Sequence, residues 1–294
     1  MSAPTLSLWW YLMARSDWRR PALIPLETDK RRIKLTISYD GSAFHGWQRQ
    51  DNADSVQSKL EEAIEILTGF KVDVQASGRT DAGVHALMQV CHFDIPSTVT
   101  IPGEKFANAL YSQLPPTIIV LSSEEVDGSF HARYTTMARE YRYFVKGKEE
   151  FLPFDKGYVT QFGRLPSLEL LNQYASLLQG THDFTTFASA RDLSPSHFRD
   201  IYESYWSEGE DKYNKRYYRY TVVGNAFLYH QVRSMVGSML LLASQKAPIE
   251  EFKRRLEAKD RSQALSTAPS DGLYLARISY DEEEYRWFEE EFNG

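Results

Sequence analysis

Two periodicities share this chain, and the order in which they alternate limits the folds open to it. Apolar side chains fall on every second position at Ile33, Leu35, Ile37 and Tyr39, the pattern of a strand with one buried face. Strand signals return near residues 71–76, 88–95, 117–121 and 137–146, then at 200–207, 216–223 and 273–278. Helical spacing links Val56, Leu60, Ala63, Ile64 and Leu67, with Asp54 or Ser55 as cap and Gly69 as stop. It recurs after Ser167 in Leu170, Leu171, Tyr174, Leu177 and Leu178, with Gly180 as stop. Val232, Met235, Val236, Met239, Leu240 and Ala243 predict a buried helix, and Pro248 opens a short one at its first turn. Strands and helices interleaved without regular βαβ alternation predict an α+β fold of two halves rather than a doubly wound sheet. The expected organisation is an N-terminal extension (1–30), a half carrying a glycine-flanked acidic loop (31–136), a second half (137–280) and an acidic tail (281–294). No low-complexity linker separates the halves, so a boundary near 136–150 is expected to be tightly packed.

Bulk properties narrow the function classes. A single cysteine, Cys91, excludes a disulfide framework and a cysteine-rich zinc site, and points to a reducing compartment, most simply the cytoplasm. No apolar run approaches bilayer length, and residues 6–14 lack the basic lead of a signal peptide, so no membrane partner is expected. The formal net charge is −6, but residues 281–294 hold seven acidic residues against Arg286 alone, so residues 1–280 sum to zero. A neutral body can still carry a basic cleft, and charge neither supports nor excludes a nucleic-acid partner.

The chemistry concentrates in Ser77-Gly78-Arg79-Thr80-Asp81-Ala82-Gly83-Val84-His85. Glycines let this backbone turn sharply, and a carboxylate held beside Arg79 is expected to stay charged, as a nucleophilic or charge-stabilising aspartate requires. A tight loop in which Asp81 bonds only its own backbone fits the spacing equally well. Tyr39-Asp40-Gly41-Ser42-Ala43-Phe44-His45-Gly46-Trp47-Gln48-Arg49-Gln50 packs rings, amides and a guanidinium into one loop, a mixture suited to unpaired RNA bases and their backbone. Either ring alone also fits a loop pinned to the core. Arg139, Tyr141 and Tyr143 share one strand face, able to stack on a base and meet its phosphate, or to form a cross-strand pair. Arg233 is the one conspicuous charge between Phe227 and Leu240. Buried there, it needs a carboxylate, for which Asp81 is a candidate; on the solvated side of the helix it needs none. No zinc-ligand spacing, phosphate loop or dinucleotide fingerprint is present, so no metal and no cofactor are expected.

In order along the chain, these motifs resemble the TruA-type tRNA pseudouridine synthases. The resemblance runs from about Ile33 to Tyr280 and includes Phe130-His131-Ala132-Arg133, His182-Asp183-Phe184-Thr185, Gln231-Val232-Arg233, Ala258-Lys259-Asp260-Arg261 and Ala268-Pro269-Ser270-Asp271-Gly272. It implies two pseudo-related halves sharing a mainly antiparallel sheet flanked by helices, with a central active-site cleft. It implies a homodimer acting on the tRNA anticodon stem-loop, which moves the uridine glycosidic bond from N1 to C5 without a cofactor. Asp81 matches the essential aspartate, Tyr141 the tyrosine that stacks on the target base and assists loss of the C5 proton, and Arg233 the arginine paired with the aspartate. Arg79 matches an arginine that fills the space left by the flipped nucleotide. Trp47, Gln48 and Arg49 are expected to contact substrate with Arg79 and Tyr141. Residues 191–199 depart from the family pattern. A non-catalytic RNA binder is the competing reading, disfavoured because a binder has no need of the trio Asp81, Tyr141 and Arg233. A nucleoside hydrolase would require a second acid to activate water, and no companion to Asp81 stands out.

Overall fold

The structure is a computed structural model that describes residues 26–281. Ten strands form one mainly antiparallel sheet: β1 (Lys30–Tyr39), β2 (Gln75–Ala76), β3 (His85–Pro96), β4 (Ile118–Val126), β5 (Ala138–Gly147), β6 (Thr160–Phe162), β7 (Gly180–Asp183), β8 (Phe198–Glu210), β9 (Arg216–Gly224) and β10 (Leu273–Ser279). Five α-helices lie among the described residues: α1 (Val56–Thr68), α2 (Phe106–Leu110), α3 (Leu168–Ser176), α4 (Gln231–Ser244) and α5 (Ile249–Glu257). The class is α+β. No helix among these residues is long and apolar enough to cross a membrane.

The strand order, β4-β1-β3-β10-β5-β9-β8-β7, places the three long strands of the chain's start, β1, β3 and β4, on one side and those of its second part on the other. The last strand, β10, lies between them. It runs antiparallel to β5 and meets β3 in a short parallel contact, Tyr274 opposite His85 and Leu275 opposite Ala86. The alternation read at Ile33, Leu35 and Ile37 is the fully buried face of β1. Residues 71–74 do not join the sheet, leaving only Gln75 and Ala76 as β2, because the chain there crosses α1 instead: Val74 N–H donates to Glu61. Gly180 follows a helix that has already ended at Ser176, and opens β7. Pro248 sits one position before α5, as its N-cap.

Local chemistry sets the helix ends. Ser55 forms a capping box with Ser58, and Gly69, at φ 77°, closes α1. Helix α4 is buried nearly all round and packs with α3 and α5. Arg233 is its only charged residue. Gly237 on α4 is indispensable for space: a Cβ there would lie 2.1 Å from the Ser266 carbonyl oxygen, so only glycine lets residues 266–268 run along the helix.

His92 on β3 is 3% exposed and accepts the Ala132 N–H at Nδ1 (3.2 Å). Burial, reinforced by His131 and Arg32, pushes its imidazole down to about 3. An unfolded histidine titrates near pH ~6.5, so the unfolded chain takes up a proton between that pH and about 3 while the folded one does not. The stability His92 contributes is therefore complete above pH ~6.5 and is lost as the pH falls toward about 3. Thermal unfolding of the wild type should show this fall, and His92→Gln should flatten it while lowering Tm at neutral pH; an unchanged slope would refute the assignment.

Candidate active site

Asp81 lies between β2 and β3 in a loop fastened at both ends. At its base, Ser77 N–H donates to Val90 O (2.8 Å), Ser77 Oγ donates to Gln89 Oε1 (2.5 Å), and Gln89 Nε2 donates to Gly78 O (2.9 Å). At its tip, Val84 N–H donates to Asp81 O (3.1 Å), closing a turn through Gly83 at φ 78°. A side chain at Gly83 would be strained and would meet Ser270 Oγ at 2.7 Å.

The aromatic loop after β1 holds this turn from one side. Trp47 N–H donates to Thr80 O (3.0 Å), and Tyr39 OH shares a hydrogen bond with Thr80 Oγ1 (2.8 Å). Trp47 itself is 2% exposed and Phe44 7%, with the indole tilted against Tyr39. Of the two readings of this loop, the Trp47 ring follows the one in which it is pinned to the core, and the residue reaches the Asp81 loop through its backbone N–H. Gln48 donates from Nε2 to Gln57 Oε1 (2.9 Å), and the same oxygen accepts Arg49 N–H. The Arg49 guanidinium pairs with Glu61 but stays more than half exposed, at 55%. Helix α1 thus sets the direction of both side chains.

From the other side of the sheet, α4 brings Arg233. Its Nη1 donates to Asp81 Oδ2 at 3.0 Å and its Nε to Ala268 O at 2.8 Å, while Ala268 N–H donates back to Arg233 O at 3.0 Å. His230 Nε2 lies 3.2 Å from the same Asp81 oxygen. The three side chains are partly exposed, Asp81 at 20%, Arg233 at 16% and His230 at 25%. Among the described residues, Asp81 Oδ1 has no protein partner. The cationic neighbour of Asp81 is therefore Arg233, not Arg79 as the loop's sequence suggested. Arg79 is exposed, without hydrogen bond or ion pair among the described residues.

Tyr141 projects from β5, 9% exposed and edge-on to Phe227 (5.1 Å, 81°). Burial pushes its phenol up to about 12; Arg139 opposes the shift and the Asp81 carboxylate adds to it. Arg139, read as a possible phosphate contact, is used internally. Its guanidinium donates to the carbonyls of Ser77 (2.8 Å), Arg133 (3.1 Å) and Asn225 (2.5 Å), tying the base of the Asp81 loop to the end of β9. A cleft of about 200 Å3 lies beside that base, lined in part by Gln48, Gln57, Gln75, Arg79 and Arg133.

Two residues here carried no separate signal in the sequence. Arg133 stood inside a motif without a role of its own. His230 belongs to no spacing that assigns it a role, and what places it at Asp81 is a backbone conformation that no residue pattern announces.

The pattern described as tRNA pseudouridine synthase matches residues 35–135 and 174–281. The chain is 41% identical over 252 residues to the tRNA pseudouridine synthase A of Bacillus velezensis, covering 85% of this chain and 99% of that protein. The identity to the protein of the same name from Bacillus subtilis is 41% over the same shares. For Anoxybacillus flavithermus it is 44% over 255 residues, again 85% and 99%.

A pair this sheltered should couple more strongly than an exposed one. A double-mutant cycle of Asp81→Asn and Arg233→Met, read by urea unfolding, is expected to give a coupling of about 1–3 kcal/mol, against ~0.2–1 for surface pairs. Additive single effects would show that the pair is only an accident of proximity.

Proposed function

The chain belongs to the tRNA pseudouridine synthase family, and on that premise we propose that Asp81 carries its reaction, on a uridine of the tRNA anticodon stem-loop, with Arg233 and Tyr141 completing the catalytic set. The enzyme is an isomerase that converts uridine to pseudouridine in tRNA. The N1–C1′ bond breaks, a C1′–C5 bond forms, the C5 proton is lost and N1 gains one. Atoms and electrons balance within the nucleoside, so the step itself calls for no redox partner.

One observation carries the residue assignment. Asp81 is a partly exposed carboxylate with one oxygen held by Arg233 and the other without a partner among the described residues. A carboxylate anchored on one side and open on the other is arranged to engage a ligand in fixed geometry, which is where positional catalysis gains most. Burial raises the Tyr141 phenol and keeps it neutral at neutral pH, and we take it to act chiefly as a ring against the uracil. Arg79, exposed two residues before Asp81, is placed to enter the stack as the target nucleotide leaves it. That extrusion costs a few kcal/mol and is cheapest in a loop. Gln48 and Arg133 line the cleft beside the loop and, with the exposed Arg49, suit backbone contacts, while Trp47 serves by holding Thr80. The active form is a homodimer with tRNA contacting both subunits, which lets a body of zero net charge bind RNA along one lined cleft.

The test is tritium release from tRNA labelled at C5 of uridine. Wild type should release label and Asp81→Ala should not, with tRNA affinity retained within roughly 2-fold; ΔΔG for lost binding would then be small beside the loss of rate. Binding without release by the wild type would favour the RNA-binding reading instead.

A further inference from the structure

His230 combines two features that a residue filling space at a helix start does not need. Its backbone is left-handed, at φ 64° and ψ 4°, a conformation that the Cβ makes uncommon in residues other than glycine, though histidine adopts it more often than most. Its imidazole nevertheless ends 3.2 Å from Asp81 Oδ2. Capping does not account for the strain, because the His230 side chain makes no hydrogen bond to the first turn of α4.

The surrounding chain imposes the conformation. On one side, Tyr229 is fixed at both backbone groups: its N–H donates to Asp192 Oδ2 (2.6 Å), and its carbonyl accepts Ser189 N–H (2.8 Å). On the other, Gln231 N–H donates to Leu228 O (3.0 Å), and Leu228 N–H donates to the Gln231 side chain (2.8 Å). The His230 carbonyl takes Ser234 N–H (2.9 Å) as an ordinary helix bond. With both neighbours held, the left-handed residue turns its ring toward Asp81, against the Tyr229 ring at 4.0 Å. Strain retained at a point where a side chain meets the reacting group is an indication of function when the observed outlier comes first.

We propose that His230 is a positioning residue for Asp81. It contacts the oxygen that Arg233 already holds, so Oδ2 is confined from two directions and rotation of the carboxylate is blocked. The remaining oxygen, Oδ1, is thereby presented to the uridine in one orientation. Support runs outward from His230 through Tyr229 to Asp192, whose carboxylate is also bonded by Ser194 N–H (2.8 Å). Residues 191–199, the segment that departs from the family pattern, thus act on the catalytic carboxylate from a distance. The inference rests on the reading of Asp81 as the reacting group.

The test uses His230→Asn and His230→Gly in the full-length protein, since asparagine and glycine both accept a left-handed backbone. The probe is C5-tritiated tRNA, with single-turnover release, tRNA affinity and Tm read separately. The expected result is a rate lowered roughly 10- to 100-fold with affinity within about 2-fold and Tm unchanged or raised, the signature of lost positioning. Asp192→Ala should lower the rate in the same sense without touching the site. Wild-type rates in both His230 variants would overturn the proposal, as would rate and Tm falling together in both. If Asp81→Ala alone retains turnover, the reading of Asp81 fails, whatever the His230 variants do.

Discussion

The insertion of β10 into the middle of the sheet is the constraint on which the site depends. Asp81 and Arg233 are 152 residues apart, on opposite sides of that strand. The segment leading into β10 supplies a contact to each: Ala268 O holds Arg233, and Ser270 packs against Gly83 in the Asp81 turn. It also takes Tyr143 OH on Pro269 O (3.0 Å) and Thr160 Oγ1 on Asp271 Oδ1 (2.6 Å), which seats it against the neighbouring strands. Loop-closure entropy rises only by about 0.6 kcal/mol per doubling of length, so joining such distant residues costs little more than joining near ones once the sheet exists.

His85 fastens the same junction from the other end of the loop. It is buried, accepts Gly41 N–H at Nδ1 (3.1 Å), and lies 2.8 Å through Nε2 from Gly157 O. That pair of bonds defines a neutral ring protonated at Nε2, and burial lowers its proton affinity in keeping with it. The ring stacks between Tyr158 (5.4 Å) and Tyr274 (4.6 Å), so residues from both parts of the chain and from β10 meet on one imidazole. Asp81 is four residues away. Its position is therefore set by the core, not by the loop's own preferences.

Features governed by local periodicity were legible in the sequence. The alternation of β1, the Ser55 cap and Gly69 stop of α1, and the buried run of α4 each depend on residues within one element. Features decided by distant packing were not. Nothing in Leu273 or Leu275 says that the final strand is central, because a strand buried on both faces looks alike wherever it inserts. Trp47 stayed open between an RNA-facing ring and one pinned to the core because a loop position does not reveal which way an indole turns, and burying it brings a large apolar gain. The anchoring role of Arg139 was not legible because its three acceptors are backbone carbonyls, which have no signature in residue types. His230 stayed hidden for the same reason, its role depending on one backbone angle.

Arg233 shows why a guanidinium and not an ammonium suits this position. Its fork serves two acceptors at once, Nε to the Ala268 carbonyl and Nη1 to Asp81. The first bond fixes the plane of the group before any ligand arrives, so the second is aimed and not merely attracted. A lysine could reach one acceptor with a flexible stem but could not be oriented by the other. The helix carries no other charge and is mostly apolar, which raises the cost of leaving Arg233 unpaired and so favours the geometry in which Asp81 is held. The partial exposure of both partners, 16% and 20%, keeps that cost below the one for a fully buried pair. A site built this way is organised before substrate binds, and the energy of binding tRNA remains available for drawing a uridine out of its stack.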